Sequence, residues 1–365
     1  MSDASLFEPL DFKRGPAMKN RFMLAPLTNL QSDPDGRLSE DEFKWLTMRA
    51  QGGFGLTMTC AAHVQAIGQG FPGQLGIFGD EHLEGLTRLA KQIREDGSVS
   101  IVQLHHAGMR SPEELVGEKP VCPSDHEEPD ARALTLAEVE TLIEDFVRAA
   151  VRAEQAGFDG VELHGAHGYI LGQFFSAEIN QRSDRYGGTL ENRSRILFEI
   201  IDGIREQCRP DFMLGVRLSP ERFGVTLSEA RELAQRVMAE GKIDFLDMSL
   251  WDVFKEPAEE EFKGRSLISY FAELERGGTR LGVAGKVYGA DEARRCLEAG
   301  VDFVLAGRAA ILHHDFPRRV QGDTDFRMAE TPVSRAHLEA EGLGEKFIEY
   351  MSGWAGFVEA PTAEG

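Results

Sequence analysis

The sequence contains few cysteines, and they are not arranged as metal ligands. Four cysteines occur among 365 residues, at spacings of 62, 86 and 88 residues, and no CxxC or CxxH pair is present. Structural zinc and iron–sulfur sites need clustered cysteines, so a site of that kind is excluded. The first residues show no basic segment followed by an apolar stretch, so we expect a reduced, cytoplasmic protein without a disulfide framework.

Positive charge and long apolar runs are scarce as well. Lys and Arg total 40 against 61 for Asp and Glu, a net charge of −21. Such a surface repels phosphate backbones, so we expect no nucleic-acid partner, although a local basic pocket for one small anion stays open. No run of 18 apolar residues occurs, so we expect no membrane span.

What the sequence does contain is a series of short, nearly continuous apolar runs, typical of strands that are buried on both faces. Helical patterns lie between most of them. Strand followed by helix, eight times, predicts a (β/α)8 TIM barrel, with an open doubly wound sheet as the alternative. The predicted strands are Phe22–Leu27, Phe54–Cys60, Val99–Leu104, Gly160–Leu163, Met213–Leu218, Phe245–Leu250, Leu281–Ala284 and Phe303–Ala306.

The helices are predicted from a period near 3.6 residues. The clearest spans Leu136–Ala156, where Thr135 and Glu138 form a capping box. The other predicted helices are Asp80–Glu95, Leu190–Gln207, Ser228–Ala239 and Asp291–Ala299.

Two segments extend the barrel. The Pro- and charge-rich stretch Arg110–Leu134 predicts a long loop or lid after the third strand. We assign residues 1–328 to the barrel and 329–365 to a C-terminal helical tail. A helix over Arg335–Met351 and the aromatic residues Trp354 and Phe357 predict that the tail packs on the barrel or on a neighbouring subunit of a homo-oligomer.

Polar residues follow the ends of most predicted strands, where barrel enzymes place their chemistry. Gly285-Lys286 and Gly307-Arg308 follow strands seven and eight, where barrels bind phosphate through backbone N–H groups and a short helix. Glycine turns next to exposed bases are the ordinary alternative. The other strand-end residues are Thr28, Ala61, Gln103, His105, His106, His164, His167, Tyr169 and Arg217.

His164 and His167 allow three interpretations: a metal site, a pair of N–H donors for a carbonyl or phenolate oxygen, or histidines satisfied in the core. A catalytic zinc needs about three protein ligands, and Arg217 would repel a cation, so the metal interpretation is disfavoured. Tyr169, two residues beyond His167, is a candidate proton donor or a packed aromatic.

Four separated motifs resemble the old yellow enzyme family, in family order and spacing. They are KNRFMLAPLT (Lys19–Thr28), SIVQLHHAG (Ser100–Gly108), VELHGAHGYILGQFFSAEINQRSDRYGGTLENRSRILFEII (Val161–Ile201) and VLAGRAAI (Val304–Ile311). The resemblance covers residues 5 to about 320. Without clustered cysteines and without the length of the multidomain relatives, the chain resembles the single-domain bacterial form.

The resemblance implies a tightly but non-covalently bound FMN, with NADH or NADPH as hydride donor. Ala25, Pro26 and Thr28 would line the flavin. Ala61 and Gln103 would contact its ring system. Arg217 would face the ring atoms where negative charge accumulates on reduction. The phosphate would be held by Gly285, Lys286, Gly307 and Arg308.

The activity implied is reduction of the C=C bond of α,β-unsaturated carbonyl compounds by a ping-pong hydride transfer. His164 and His167 would bind the substrate carbonyl and Tyr169 would protonate the product. We expect His105 and Trp251 to shape the substrate pocket. The alternatives are other FMN-barrel chemistry (demethylation, ring opening, nitro-ester or xenobiotic reduction), a flavin-binding protein without turnover, or a metal-dependent hydrolase. Relatives of this kind often form dimers or tetramers.

Overall fold

The chain folds into a closed barrel of eight parallel strands in a computed structural model, which describes residues 4–360. The order around the barrel is sequential, and β1 closes it against β8, with Leu24 paired to Ala306. The predicted (β/α)8 barrel is therefore confirmed. The strands are β1 Phe22–Leu24, β2 Leu56–His63, β3 Val99–His105, β4 Gly160–Gly165, β5 Met213–Leu218, β6 Phe245–Ser249, β7 Arg280–Ala284 and β8 Phe303–Ala306.

Large apolar side chains fill the amino-terminal end of the barrel. The rings of Phe245 and Phe303 meet edge to face inside it at 6.2 Å, and Phe12 packs against both from below. Gly215 makes room for this plug, because a Cβ there would lie 2.1 Å from the Phe245 ring. A ligand can therefore enter the barrel only at its carboxyl-terminal end, which agrees with the general position of barrel active sites.

Each strand leads to a helix on the outside of the barrel. The helix after β3 begins with the predicted capping box, in which the Thr135 hydroxyl accepts from the Glu138 amide at 3.2 Å. After β6 the outer helix is a single turn, so the repeat is incomplete there. The outer helices are Glu40–Gln51, Leu83–Glu95, Leu136–Gln155, Leu190–Gln207, Leu227–Ala239, Ser269–Ala272, Ala290–Glu298 and Phe316–Gly322.

Short elements decorate the two ends. The loop after β3 contains the helix Glu113–Val116 and a two-stranded ribbon of Val121–Cys122 and Arg132–Ala133. Arg182, in the loop after β4, donates from Nη1 to the Pro123 carbonyl at 2.8 Å and so holds the ribbon in place. Other short helices are Ala4–Phe7, Ile170–Phe175 and Arg308–Leu312.

The tail contains two helices, Arg335–Ala340 and Glu345–Ser352, where the sequence predicted one over Arg335–Met351. The prediction is wrong at Gly342, whose φ of +84° breaks the helix. Phe347 of the second helix packs edge to face on Trp45, and the Gly344 amide donates to Gln31 Oε1 at 2.8 Å. The tail thus contacts its own barrel through Gly344 and Phe347, and residues 361–365 of the predicted tail lie outside the described residues.

Within residues 4–360, every helix is too short or too polar to cross a membrane.

Candidate active site

A cavity of about 200 Å³ opens at the carboxyl ends of the strands, and we call it the inner cavity. It brings together eight of the predicted site residues from five strand ends: Pro26, Thr28, Ala61, Gln103, His164, His167, Tyr169 and Arg217. Six further residues complete its wall: Leu27, Phe71, Ile311, Tyr350, Met351 and Trp354. Ala25 lies below it in the barrel core, where its amide donates to the Ala306 carbonyl.

A second cavity of about 340 Å³ adjoins the first, and we call it the outer chamber. The two share His167 and Tyr169. The outer chamber is formed by the loops after β3, β5 and β6, and its remaining lining residues are Arg110, Ser219, Pro220, Glu221, Arg222, Phe223, Ser249, Leu250, Trp251 and Lys255.

His164 offers an N–H group to the inner cavity. Its Nδ1 accepts from the Ala166 amide at 3.3 Å, so the proton of the neutral ring is on Nε2. Burial holds the pKa of His164 well below its usual value, and the neighbouring His167, His105 and Arg217 lower it further because each disfavours a second positive charge beside it. The ring is therefore a neutral donor at pH 7.

His167 is held by two serines, Ser219 and Ser249. Its amide donates to Ser219 Oγ at 3.0 Å, and its Nε2 lies 2.8 Å from Ser249 Oγ. Arg217 donates to that same Ser249 oxygen at 3.4 Å. When the Ser249 hydroxyl donates to His167 Nε2, the proton of the neutral ring lies on Nδ1. Burial and the cations Arg217 and Arg110 lower the pKa of His167 to about 3.

Tyr169 lies between two histidine rings on one side and an arginine on the other. Its ring contacts His105 and His164 edge to face at 4.3 and 5.0 Å, and Arg110 Cζ lies 4.7 Å from its ring centroid. Burial raises the pKa of the Tyr169 phenol and the Arg110 charge offsets part of the rise. Arg110 is fixed there because its Nη1 donates to the His167 carbonyl at 2.6 Å.

His105 is fully buried, and its Nδ1 contacts Gln74 Nε2 at 3.0 Å. Because the amide donates, the neutral ring carries its proton on Nε2, and no residue of the described chain accepts it. His105 thus supports Tyr169 from behind and does not line either cavity.

The cavity floor holds one cation and two carboxyl groups. Arg217 Nε lies 2.9 Å from Asp247 Oδ2 in a buried ion pair that lacks hydrogen-bond alignment. Gln103 Nε2 donates to Glu162 Oε1 at 2.7 Å. Burial raises the pKa of Asp247 to about 6 and that of Glu162 further, because Asp247 also repels the Glu162 charge. Arg217 and Gln103 are therefore anchored from below, with their remaining donors toward the cavity.

The predicted phosphate residues lie together at the ends of β7 and β8, since those strands are neighbours. At the start of the helix Arg308–Leu312, the Ala310 and Ile311 amides donate to the Gly307 carbonyl at 2.9 and 3.1 Å, so the Arg308 and Ala309 amides are the ones left without a partner inside the helix. A Cβ on Gly307 would meet only Leu27, at 3.6 Å, so space is open there. Lys286 is ion-paired with Asp252 at 2.9 Å, and Arg308 lies 5.1 Å over the Tyr288 ring.

A buried arginine braces this end of the site. Arg49 Nε and Nη2 donate to the Ala310 carbonyl at 3.2 and 3.0 Å. Its Cζ lies 3.2 Å from the Trp45 ring centroid, and Trp45 in turn supports Phe347 of the tail. One outer helix thus supports both the phosphate end and the tail.

Sequence reasoning missed the tail as a wall of the inner cavity. Tyr350, Met351 and Trp354 reach it, although the resemblance ended near residue 320. Ser249 was also missed, because nothing in the sequence marks a serine at the end of β6. The aromatic residues Trp354 and Phe357 were the one available signal, and they predicted packing on the barrel or on a neighbouring subunit without indicating a cavity wall.

The residues fit FMN and do not favour a metal at His164 and His167. An amide, a hydroxyl and a guanidinium line the cavity beside small side chains, and Gly307 leaves space at the phosphate end. Among the described residues, two groups could hold a cation: His313, His337 and Glu341, and His314, Asp315 and Glu341. Neither contains a residue of the cavity.

These features define a barrel oxidoreductase, and comparison with known proteins gives its family. The model of the NADH:flavin oxidoreductase / NADH oxidase family matches residues 5–325. "Probable NADH-dependent flavin oxidoreductase YqiG" of Bacillus subtilis (strain 168) is 34% identical over 364 residues, covering 97% of each chain. The old yellow enzyme homologue from Zymomonas mobilis has a TM-score of 0.80 at 26% identity, covering 95% of this chain and 99% of that one.

The chain belongs to this family, and its resemblance to the old yellow enzymes is confirmed. FMN is its cofactor and a reduced nicotinamide nucleotide its hydride donor. The match to longer relatives is partial: the NADH:fumarate oxidoreductase of Klebsiella pneumoniae (strain 342) is 31% identical over 355 residues, which are 92% of this chain and 38% of that protein.

Proposed function

We propose that the protein reduces the activated C=C bond of α,β-unsaturated carbonyl compounds at the expense of NADH or NADPH. One observation carries the proposal: two neutral imidazoles and a neutral phenol, His164, His167 and Tyr169, lie on one wall of a cavity whose floor holds Arg217. This set supplies two donors for an oxygen that becomes anionic and one proton for a carbon.

FMN, when bound, would supply the hydride chemistry between the nicotinamide and the β-carbon of the alkene. The chain does the rest. The His164 and His167 N–H groups hold the carbonyl oxygen and stabilise the charge that develops on it; losing one such donor costs about 10²–10³-fold in rate. Tyr169 holds the proton for the α-carbon.

Pro26, Thr28, Ala61 and Gln103 would hold the flavin ring, and Gly285, Lys286, Gly307 and Arg308 its phosphate. Ala25 would support that side from the core. His105 and Trp251 would shape the substrate pocket, the first from behind Tyr169 and the second from the outer chamber.

The nicotinamide and the oxidising substrate would use the same cavity in turn, because His167 and Tyr169 are common to both cavities. We expect ping-pong kinetics. Parallel double-reciprocal plots would support shared occupancy, and intersecting plots would contradict it.

The decisive experiment is an anaerobic visible spectrum of the holoenzyme, recorded before NADPH, after NADPH and after a cyclic enone. We expect the flavin absorbance to bleach with NADPH and to return with the enone. Bleaching without return would contradict enone reduction and redirect the search to demethylation, nitro-ester or xenobiotic acceptors. A spectrum that neither nicotinamide changes would identify a flavin-binding protein without turnover.

A further inference from the structure

The outer chamber is bordered by an unusual turn in the loop after β5. Arg222, Phe223 and Gly224 have φ values of +76°, +56° and +73°, so two side-chain-bearing residues in succession adopt left-handed backbone. That conformation costs energy and persists only where its surroundings impose it. The Val225 amide donates to the Arg222 carbonyl at 3.1 Å, and the Ala177 amide donates to the Gly224 carbonyl at 3.1 Å.

The same turn is seated on the catalytic segment. A Cβ on Gly168 would lie 2.7 Å from the Phe223 ring, so that ring packs directly on the backbone between His167 and Tyr169. The strained turn therefore presents Arg222 to the chamber at a fixed position relative to the two shared residues.

A second exposed aromatic residue borders the chamber from the loop after β6. Trp251 has a φ of +63° and is 67% exposed, and the adjacent Asp252 amide donates to the Leu250 carbonyl at 2.7 Å. A Cβ on Gly285 would lie 2.8 Å from the Trp251 carbonyl carbon, so the glycine allows this close approach. An indole held exposed on a tight turn is suited to a ligand, because its ring has little to pack on within the chain.

The chamber carries excess positive charge in a chain of net charge −21. Glu221 and Lys255 neutralise each other in an ion pair. Arg110 bonds to a backbone carbonyl and stacks on a ring, so its charge is not cancelled by a carboxylate. Within residues 4–360, the Arg222 guanidinium has neither a hydrogen-bond acceptor nor an ion-pair partner. Two uncompensated guanidinium groups thus face one cavity.

We propose that the outer chamber binds an anionic group, phosphoryl or carboxylate, carried by the ligand whose reacting end contacts His167 and Tyr169. Arg222 is the anion contact, and Phe223 and Trp251 flank the apolar or planar part next to it. Guanidinium matches both anions in geometry. Such an anion has two sources: the phosphates of the nicotinamide dinucleotide, or a charged group on the oxidising substrate.

The test separates these sources with Arg222→Gln in the FMN-loaded enzyme. ADP-ribose carries the dinucleotide phosphates without the nicotinamide, so calorimetry measures its binding independently of any reaction. The substrate arm compares 4-oxopent-2-enoate, which has a carboxylate, with neutral cyclohexenone, by the KM of the oxidative half-reaction. That arm rests on the proposed enone reduction, and the ADP-ribose arm does not.

We expect Arg222→Gln to weaken the binding of one charged probe about tenfold, measured as the affinity for ADP-ribose or the KM for the enoate. The KM for cyclohexenone should change less than about twofold. A weaker affinity for ADP-ribose alone assigns the chamber to the dinucleotide. A higher KM for the enoate alone assigns it to the substrate. Arg236→Gln, which removes one charge from the outer helix Leu227–Ala239, is the matched control for net charge.

Two outcomes overturn the proposal. If ADP-ribose and the enoate both bind the variant as they bind the original protein, Arg222 does not contact an anion. If the KM for cyclohexenone worsens as much as the binding of the charged probes while the melting temperature is unchanged, Arg222 acts through the shape of the chamber, and the chamber is not an anion site. Failure of both enones with the original enzyme would contradict the proposed function and leave the ADP-ribose result intact.

Discussion

The wall of the inner cavity formed by His164, His167 and Tyr169, which we call the histidine wall, and the rim of the outer chamber differ in burial and in charge. His164 lies buried on an extended strand, and His167, with a φ of +60°, lies half-buried on the loop directly after it; both rings are neutral. Arg222 and Trp251 sit on left-handed loop backbone, exposed and in one case charged. The wall can therefore position donors on a rigid frame, while the rim can vary with its loops. Chemistry and ligand choice are separated within one site.

The largest effect expected from breaking the wall is that of Tyr169→Phe. The phenol is the proton source for the product carbon, so the oxidative half-reaction with cyclohexenone should slow about a hundredfold or more. Reduction by NADPH should be nearly unchanged, because that step needs no proton from Tyr169. Rapid-mixing absorbance of the two half-reactions measures both. Tyr270→Phe, on an outer helix, is the control, and equal slowing of both half-reactions would refute the assigned role.

Buried histidines, in the wall and elsewhere in the fold, should also make the protein sensitive to acid. Six described histidines have a pKa lowered by burial, among them His63 to about 4 and His106 to about 3; the others are His105, His164, His167 and His313. The unfolded chain protonates them below their usual pKa of 6.5, so stability is lost as the pH falls from about 6.5 toward 4.

Buried carboxyls oppose this loss, because Glu42, Glu162 and Asp247 have a raised pKa and bind protons more readily in the folded state. Six histidines outnumber three carboxyls by three protons, so the net loss is on the order of 4 kcal/mol per pH unit. Melting temperatures at fixed FMN concentration should fall between about pH 7 and pH 5. A flat or rising profile would show that the histidines are not buried and neutral.

A smaller effect is expected where wall and floor are linked. Ser249→Ala removes the hydroxyl that contacts His167 Nε2, and the oxidative half-reaction should slow about tenfold. Nitrogen NMR of labelled histidine should show the His167 ring proton moving between Nδ1 and Nε2. Ser249→Thr keeps a hydroxyl and should restore both readouts. An unchanged tautomer in the alanine variant would contradict the proposed Arg217–Ser249–His167 chain.

The smallest effect concerns the tail, which completes the wall from outside. Trp354→Ala should open the inner cavity and favour bulky enones over cyclohexenone about threefold, because one large side chain is removed from an exposed position. Competition between the two substrates measures the ratio. Leu136→Ala, another exposed apolar side chain, is the control. No change in the ratio would mean that Trp354 does not limit the cavity.

The barrel and the wall could be predicted because both depend on local sequence. Buried parallel strands appear as apolar runs, and His164, His167 and Tyr169 directly follow one of them. The rim and the tail wall could not be predicted. Left-handed backbone at Phe223 is imposed by packing on Gly168, and Tyr350 reaches the cavity only through tertiary contacts. The break at Gly342 was readable from the sequence and was overlooked.

The seam between β1 and β8 determines when the site is complete. Leu24 of β1 can pair with Ala306 of β8 only after the chain has been made as far as Ala306, and the helix that carries Tyr350 lies later still in the sequence. During synthesis the chain therefore presents its histidines, then the phosphate end, and after both the tail residues that narrow the cavity. Without Tyr350, Met351 and Trp354, the strand ends would still carry the predicted catalytic side chains, and the inner cavity would lose part of its wall. The residues that carry the chemistry are thus made before the residues that enclose it.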